Sequence, residues 1–257
     1  MKNNFDKSVT SFSPEGRVYQ IEYSIRAADI SGATCIATKG LNTVCLIEER
    51  KNFIIYNIPS SDSISLELNK YTGFVCSGIP GDLNYIVSEI IQEFCYFNEK
   101  NGHEISIDQL ANLIANKNQV LSQQSITRLL GVKTIFFGID KEIGPIIIKM
   151  DPSGYFSSHS ICAIGENSND FITYIQKNDI SYDFRYFKYE KLITYTISLL
   201  QNILKNDIKA TDIKITIISI EKKFQTLSLE DVDKYLEKLK KINKIIKTQI
   251  YNELIIK

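Results

Sequence analysis

The chain has 257 residues, 44% of them hydrophobic and 23% charged, and its 30 Lys+Arg balance 30 Asp+Glu to a net charge of +0. That composition suits a globular protein long enough to bury a large core. Zero net charge gives no global field to draw in nucleic acid or an anionic membrane, and no apolar run approaches the roughly 20 residues that span a bilayer. The five cysteines, Cys35, Cys45, Cys76, Cys95 and Cys162, are odd in number and form no CxxC pair. They are expected to be buried free thiols in a reducing compartment. Met1 to Lys7 contain no apolar stretch, so no secretory signal is expected.

In chain order, the segment up to about Thr10 is polar and without periodicity, and reads as a mobile tail. Ser13-Pro14-Glu15-Gly16 carries turn chemistry. Val18, Ile21, Ile25 and Ala28 then recur at helical steps and form one apolar face. Thr34 to Thr38 and Val44 to Ile47 are β-prone, with Gly40-Leu41-Asn42 as a hairpin turn between them. Ser65 to Leu68 and Phe74 to Ile79 are further strands. Pro80-Gly81-Asp82 opens a long helix whose face is Leu83, Ile86, Val87, Ile90, Ile91 and Phe94, and Asn101-Gly102 ends it. Ser106 caps a second helix with Ile107, Leu110, Leu113, Ile114 and Leu121 inward.

The middle returns to strands at Val132 to Ile139, Ile143 to Met150 and Tyr155 to Ile164, punctuated by Gly144-Pro145 and Asp151-Pro152-Ser153-Gly154. Helical segments near Asp170 to Lys177 and Phe187 to Leu204 follow, then a strand from Ile213 to Ile220. Ser228 opens a last helix, with Asp231 as its capping-box partner. Strands come in clusters instead of alternating singly with helices. The expected fold class is therefore α+β, two antiparallel sheets with helices on their outer faces. No internal repeat or linker divides the chain, which is expected to be one domain over residues 1–257.

Chemical motifs are sparse. His103 and His159 lack ligand spacing with cysteine or carboxylate, so no metal site is expected, and both histidines read as surface or loop residues. GxSxG, Walker and GxGxxG motifs are missing, and no cofactor is expected. The lysines at 222–223 and at 240, 241, 244 and 247 read as a solvated face.

The informative string begins at Phe5-Asp6-Lys7, passes through Phe12-Ser13-Pro14-Glu15-Gly16-Arg17 and ends at Tyr19-Gln20-Ile21-Glu22-Tyr23. It resembles the N-terminal signature of proteasome alpha-type subunits, in which an FSPEGR turn leads into a YQxEY helix. Gly138-Ile139-Asp140, Gly144-Pro145, Asp151 to Tyr155 and Ala163-Ile164-Gly165 resemble central landmarks of the same family, and the likeness runs from about Phe5 to Leu239. Within that family it looks most similar to the alpha-one kind, called type six in mammals.

The resemblance implies a four-layer α-β-β-α sandwich of the N-terminal nucleophile hydrolase type. It also implies a place in a seven-membered ring of alpha subunits capping a beta ring, in a hetero-oligomer of cytoplasm and nucleus that degrades proteins in the ubiquitin-dependent pathway. Regulatory particles or activators would be further partners, with neither nucleic acid nor membrane among them. Residues 1–12 would be a gating tail, 13–30 the turn and ring-contact helix, and 240–257 a C-terminal extension. Phe5, Asp6, Pro14 and Tyr23 match the gating positions. Gly16, Arg17, Val18, Gln20, Ile21, Glu22 and Ile25 match the ring contacts.

Catalysis is not expected. The related beta subunits are N-terminal threonine hydrolases, whose nucleophile needs a free α-amino group as its base. Here the alignable strand starts near Ala33-Thr34 with chain upstream, and counting places Glu49 and Ile64 or Ser65 where the supporting Asp and Lys would stand. The rival reading is an active hydrolase cut before Thr34; a free-standing binding domain is a third. Against the family pattern, the Tyr-Asp-Arg tail triplet is Phe5-Asp6-Lys7, RPxG is Arg128-Leu129-Leu130-Gly131, and the lysine that anchors activator C-termini aligns with Ile64.

Overall fold

A computed structural model describes residues 8–50, 63–124, 127–177, 186–206 and 208–241. Helix α1 (Tyr19–Ser31) leads into β1 (Cys35–Lys39) and β2 (Thr43–Glu49), then β3 (Ser63–Asn69) and β4 (Thr72–Gly78). Helices α2 (Pro80–Asn101) and α3 (Ile107–Gln123) precede β5 (Val132–Asp140), β6 (Gly144–Met150), β7 (Phe156–Ser158) and β8 (Ile161–Ile164). Helices α4 (Ser168–Lys177) and α5 (Tyr189–Leu204) are followed by β9 (Ile213–Ser219) and β10 (Lys223–Thr226). Helix α6 spans 229–241, up to the last described residue; Ile242 and the rest of the expected C-terminal extension lie outside the described residues.

The strands make two five-stranded antiparallel sheets, β10-β9-β2-β1-β8 and β3-β4-β5-β6-β7. Alternation along β2 shows how the layers form. Val44 and Leu46 enter the core between the sheets with Val75, Ile135 and Phe137, while Cys45 and Ile47 face α5 and α6 through Ile193, Ile197, Val232 and Leu236. Both faces of such a strand are covered, so it reads as a continuous apolar run. On the opposite side, α2 and α3 cover the second sheet, with Leu83, Ile90, Leu110 and Ile114 against Phe74 and Phe136. The result is the expected α-β-β-α sandwich.

Local signals mark the long helices clearly. Pro80 occupies the first turn of α2 and Gly102 closes it in the left-handed region at φ 70°. The Ser106 hydroxyl accepts from Gln109 N–H at 3.3 Å, and Ser228 Oγ does the same for Asp231 N–H at 3.3 Å. Polar ties lock helices and sheets together, as where the Thr38 and Thr196 hydroxyls meet at 2.6 Å between β1 and α5.

Several expectations need correction. The single strand from Tyr155 to Ile164 is two strands in different sheets: β7 pairs with β6, and β8 pairs with β1. The chain crosses between the layers at His159-Ser160, where His159 N–H donates to Ile147 O and Ser160 O accepts from Lys39 N–H, both at 2.9 Å. Strand β10 is additional to the expected set, because its sequence is polar and it lies on an edge, with Phe224 alone turned inward against Phe137 at 6.2 Å between ring centroids. Ile91, expected on the inner face of α2, is exposed. Cys95 is likewise exposed, while the other four cysteines are buried and free. Burial pushes the Cys45, Cys76 and Cys162 thiols up to about 12, far from the thiolate form that reacts.

Candidate functional site

The N-terminal segment is built as a closed turn followed by a helix packed against β4 and β5. In the turn, Gly16 N–H donates to Ser13 O at 2.8 Å, Ser13 N–H to Arg17 O at 2.9 Å, and Arg17 N–H to the Ser13 hydroxyl at 3.1 Å. Gly16 sits at φ 77°, a conformation that costs a side-chain-bearing residue. Pro14 is exposed at the apex. Tyr19 links turn to helix: its hydroxyl donates to Glu15 Oε2 at 3.2 Å, and its ring stacks on Tyr23 at 6.2 Å. Arg17 pairs with Glu22.

The far half of α1 belongs to the body of the fold. Ala28 and Ser24 are buried, and the helix ends at Gly32 beside β4. A Cβ at Gly32 would lie 2.2 Å from Ser77 Oγ and 2.8 Å from Gly78 N, so the close approach requires glycine. Ser77 Oγ donates to Ala33 O at 2.6 Å, tying β4 to the start of β1. Asp29 accepts from Lys133 Nζ on β5 at 2.5 Å and from the Ser168 hydroxyl of α4 at 3.2 Å. The Lys133 and Asp29 side chains are 9% and 15% exposed, so this is a buried pair in which each charge depends on the other.

The near half is different. Val18 and Ile21 are only half-covered and Tyr23 is 47% exposed, as is Phe12 ahead of the turn at 69%; further along the helix, Ile25 is half-covered and Ile30 64% exposed. A run of apolar groups on one rigid helix, partly uncovered, is the composition of a contact surface. Of the residues singled out from sequence, Gly16, Arg17, Val18, Gln20, Ile21, Glu22, Ile25, Pro14 and Tyr23 all lie on this turn and helix. Phe5 and Asp6 lie outside the described residues. Ile64 is half-buried in β3, packed against the α2–α3 layer.

At the position where a related hydrolase would hold its nucleophile, Thr34 is fully buried and its nitrogen is an amide continuing into α1. Its hydroxyl accepts from Asn167 Nδ2 at 2.9 Å, and its carbonyl from Glu49 N–H at 2.9 Å. With no α-amine there is no base for that chemistry. The buried carboxylate nearby is that of Glu48, one residue before the Glu49 expected from counting. It pairs across the register with Cys35 and lies 3.6 Å from Lys214 Nζ of β9, which also donates to Ser65. Burial pushes the Glu48 carboxyl above its ordinary range, against the pull of Lys214. Lys214 stands 166 positions from Glu48 in the chain, and no local pattern announces their meeting.

A second anchor holds the loop before β5. Arg128 grips Asp82 through two hydrogen bonds of 2.6 and 2.7 Å, and Gly131 N–H donates to the same carboxylate at 2.8 Å. Burial pushes the Asp82 carboxyl up, but Arg128 and the Gly131 N–H outweigh it and hold the group below its ordinary value. Arg128 and Gly131 are thus tied to α2 without the proline of the RPxG pattern. Of the two histidines, His103 is exposed, whereas His159 lies in the connection between β7 and β8, half-buried with Nε2 2.7 Å from the Ser157 hydroxyl. Among the described residues no group of three or more His, Cys, Asp or Glu could hold a metal ion.

Comparison with known proteins agrees with this anatomy. Residues 30–218 match the family model for a proteasome subunit, and residues 5–27 match the model for the N-terminal signature of the A-type proteasome subunits. A probable proteasome subunit alpha type-1 of Schizosaccharomyces pombe is 31% identical over 242 residues, covering 91% of this chain and 96% of that protein. A proteasome subunit alpha type-6 of Caenorhabditis elegans is 26% identical, covering 91% of this chain and 95% of its own length. A proteasome subunit alpha of Metallosphaera sedula is 27% identical, covering 91% of this chain and 96% of that one. The signature model falls on the turn and helix that extend the chain ahead of Thr34. The chain belongs to the proteasome subunit family, as an alpha-type, non-catalytic member.

Proposed function

We propose that this chain occupies one place in a seven-membered alpha ring of a proteasome core particle, where it contributes to ring assembly, to closure of the axial pore and to docking of regulatory particles. The observation that carries this reading is the divided character of α1. Its far half is tied into its own subunit through Gly32 and the Lys133–Asp29 pair, while its near half leaves Val18, Ile21 and Tyr23 incompletely covered. A neighbouring subunit would complete that cover, using Gly16, Arg17, Gln20, Glu22 and Ile25 as further contacts. The likenesses to an alpha type-1 and an alpha type-6 subunit support a position of the alpha-one kind. Cytoplasm and nucleus are the compartments that such a role entails. We further take residues 1–12 as a gating arm and 240–257 as an extension of one domain.

In the gate, Phe5, Asp6, Pro14 and Tyr23 would form the cluster that supports the open pore. Pro14 fixes φ at the apex of the closed turn, so a small displacement there redirects the whole arm. A hydrogen bond between ionised Asp6 and the Tyr23 hydroxyl would contribute roughly 1.5–3 kcal/mol, enough to shift a two-state gate tenfold or more. Phe5 lacks the hydroxyl of the family's tyrosine, and Ile64 offers no ammonium to an activator's carboxylate. Docking of an activator tail here would therefore be weaker than at a position carrying lysine. The test is Asp6→Ala in the assembled particle. Activator-stimulated peptide hydrolysis is expected to fall, with no further fall in a particle whose tails are all removed. Equal loss in both particles, or none in either, would contradict the gating role.

A further inference from the structure

Beneath α1 lies a cavity of about 280 Å³ between the helix and the strands β5, β6 and β7. We propose that it is a binding site for a small oxyanion, phosphate or carboxylate. Ile25 of α1 covers one side. Lys133 and Lys149 come from neighbouring strands, and Ser157 and His159 line the wall beyond them. The charges are not equivalent. Lys133 is committed to Asp29. Lys149 donates to Ala163 O at 2.9 Å and, among the described residues, forms no ion pair. An ammonium has three protons, so two remain for a ligand.

The third charged group at the wall, Asp151, spends one carboxylate oxygen on the Ser153 N–H and hydroxyl of its own turn, at 3.0 and 2.5 Å. The Ser157 hydroxyl and His159 Nε2 meet at 2.7 Å; with Nε2–H donating to Ser157, the hydroxyl keeps its own proton for an entering oxygen. Burial, with Lys133 nearby, lowers the Lys149 ammonium below its ordinary value; burial together with Lys149 does the same to His159. An anion relieves both. Tyr155, 67% exposed, stands at the wall where a ligand from solvent or from an apposed chain would enter.

The chain has two histidines, which gives the experiment an internal reference. The full-length chain is titrated at constant pH and ionic strength with inorganic phosphate, acetate or chloride, and the imidazole C–H resonances are followed by NMR. The expected result is a saturable shift of His159 with phosphate or acetate, with His103 and the chloride series unchanged. Saturation by phosphate alone assigns the site to a free phosphate-type ion; saturation by acetate assigns it to a carboxylate such as an acidic side chain. Lys149→Met should weaken binding about tenfold or more, the loss of one charge-assisted hydrogen bond, while Lys149→Arg should retain it. The proposal is overturned if His159 moves no more than His103 in the unaltered chain. It is equally overturned if folded Lys149→Met binds as well as the original; Ser157→Ala, expected to weaken binding, serves if Lys149→Met does not fold.

Discussion

The two halves of α1 share one helix and one sequence signature, yet they answer to different neighbours. From Ser24 to Gly32 the helix carries its internal ties, a glycine without room for a Cβ, a buried ion pair to β5 and a hydroxyl from α4, although Ile30 on its outer side stays exposed. From Val18 to Tyr23 the apolar groups are only partly covered, and the ion pair of that region, Arg17 with Glu22, is exposed. A helix held firmly at one end presents its other end at a fixed angle. Alpha-type membership then has a physical content: the fold supplies the rigid mount, and the uncovered half is what an assembly can use.

The contrast can be broken most severely at Asp29. Asp29→Ala leaves the Lys133 ammonium buried without its carboxylate, and should cost the isolated chain about 3–5 kcal/mol in urea unfolding. A loss below about 1 kcal/mol would mean that the far half is not anchored by this pair. Gly32→Ala comes next. Its methyl would press on Ser77 Oγ and the Gly78 backbone, and destabilisation of about 1–3 kcal/mol is expected from overpacking. Unchanged stability would show that the helix end can shift freely.

Ile21→Asp sharpens the comparison from the other side. In the isolated chain it should change stability by less than about 1 kcal/mol, as at other partly exposed sites. In cells it should sharply reduce recovery of the chain in the assembled particle, measured by co-purification. Equal behaviour of the two halves in both assays would erase the distinction.

Asp82 gives the smallest effect and a pH signature. Its folded carboxyl lies below the ordinary value, so the stabilisation is present above the unfolded range near about 4 and is lost as pH falls through the folded value. The melting temperatures of the original chain and of Asp82→Asn should therefore differ at neutral pH and converge in acid. A difference that persists unchanged at the lowest pH would point to packing instead of charge.

Much of this was legible in the sequence because it is local. Strand β5, with Ile135 and Phe137 on one face and Phe136 on the other, reads as apolar throughout since both faces are covered. The turn at Ser13 to Arg17 and the helix after it were readable from Pro14, Gly16 and the spacing of Val18, Ile21 and Ile25. What failed is non-local. The step from β7 to β8 is set by which sheet each strand finds: Ser157-Ser158-His159-Ser160 interrupts the apolar run there, but a polar interruption does not say that the chain changes layer. Strand β10 is specified by its pairing with β9, since Lys223 and Gln225 carry no strand signal of their own. The Lys133–Asp29 and Lys214–Glu48 meetings join distant segments, and residue types alone could not announce them.

The central claim is that this chain works as an uncleaved alpha-type subunit inside a larger particle. The most direct test is to isolate the chain from its native cells under non-denaturing conditions, weigh the complex by native mass spectrometry and sequence the chain's N-terminal region. The expected result is a particle that also contains other proteasome alpha and beta subunits, with the segment from Phe5 to Tyr23 intact. A free single chain, or a mature form beginning at Thr34 that hydrolyses peptides, would contradict it.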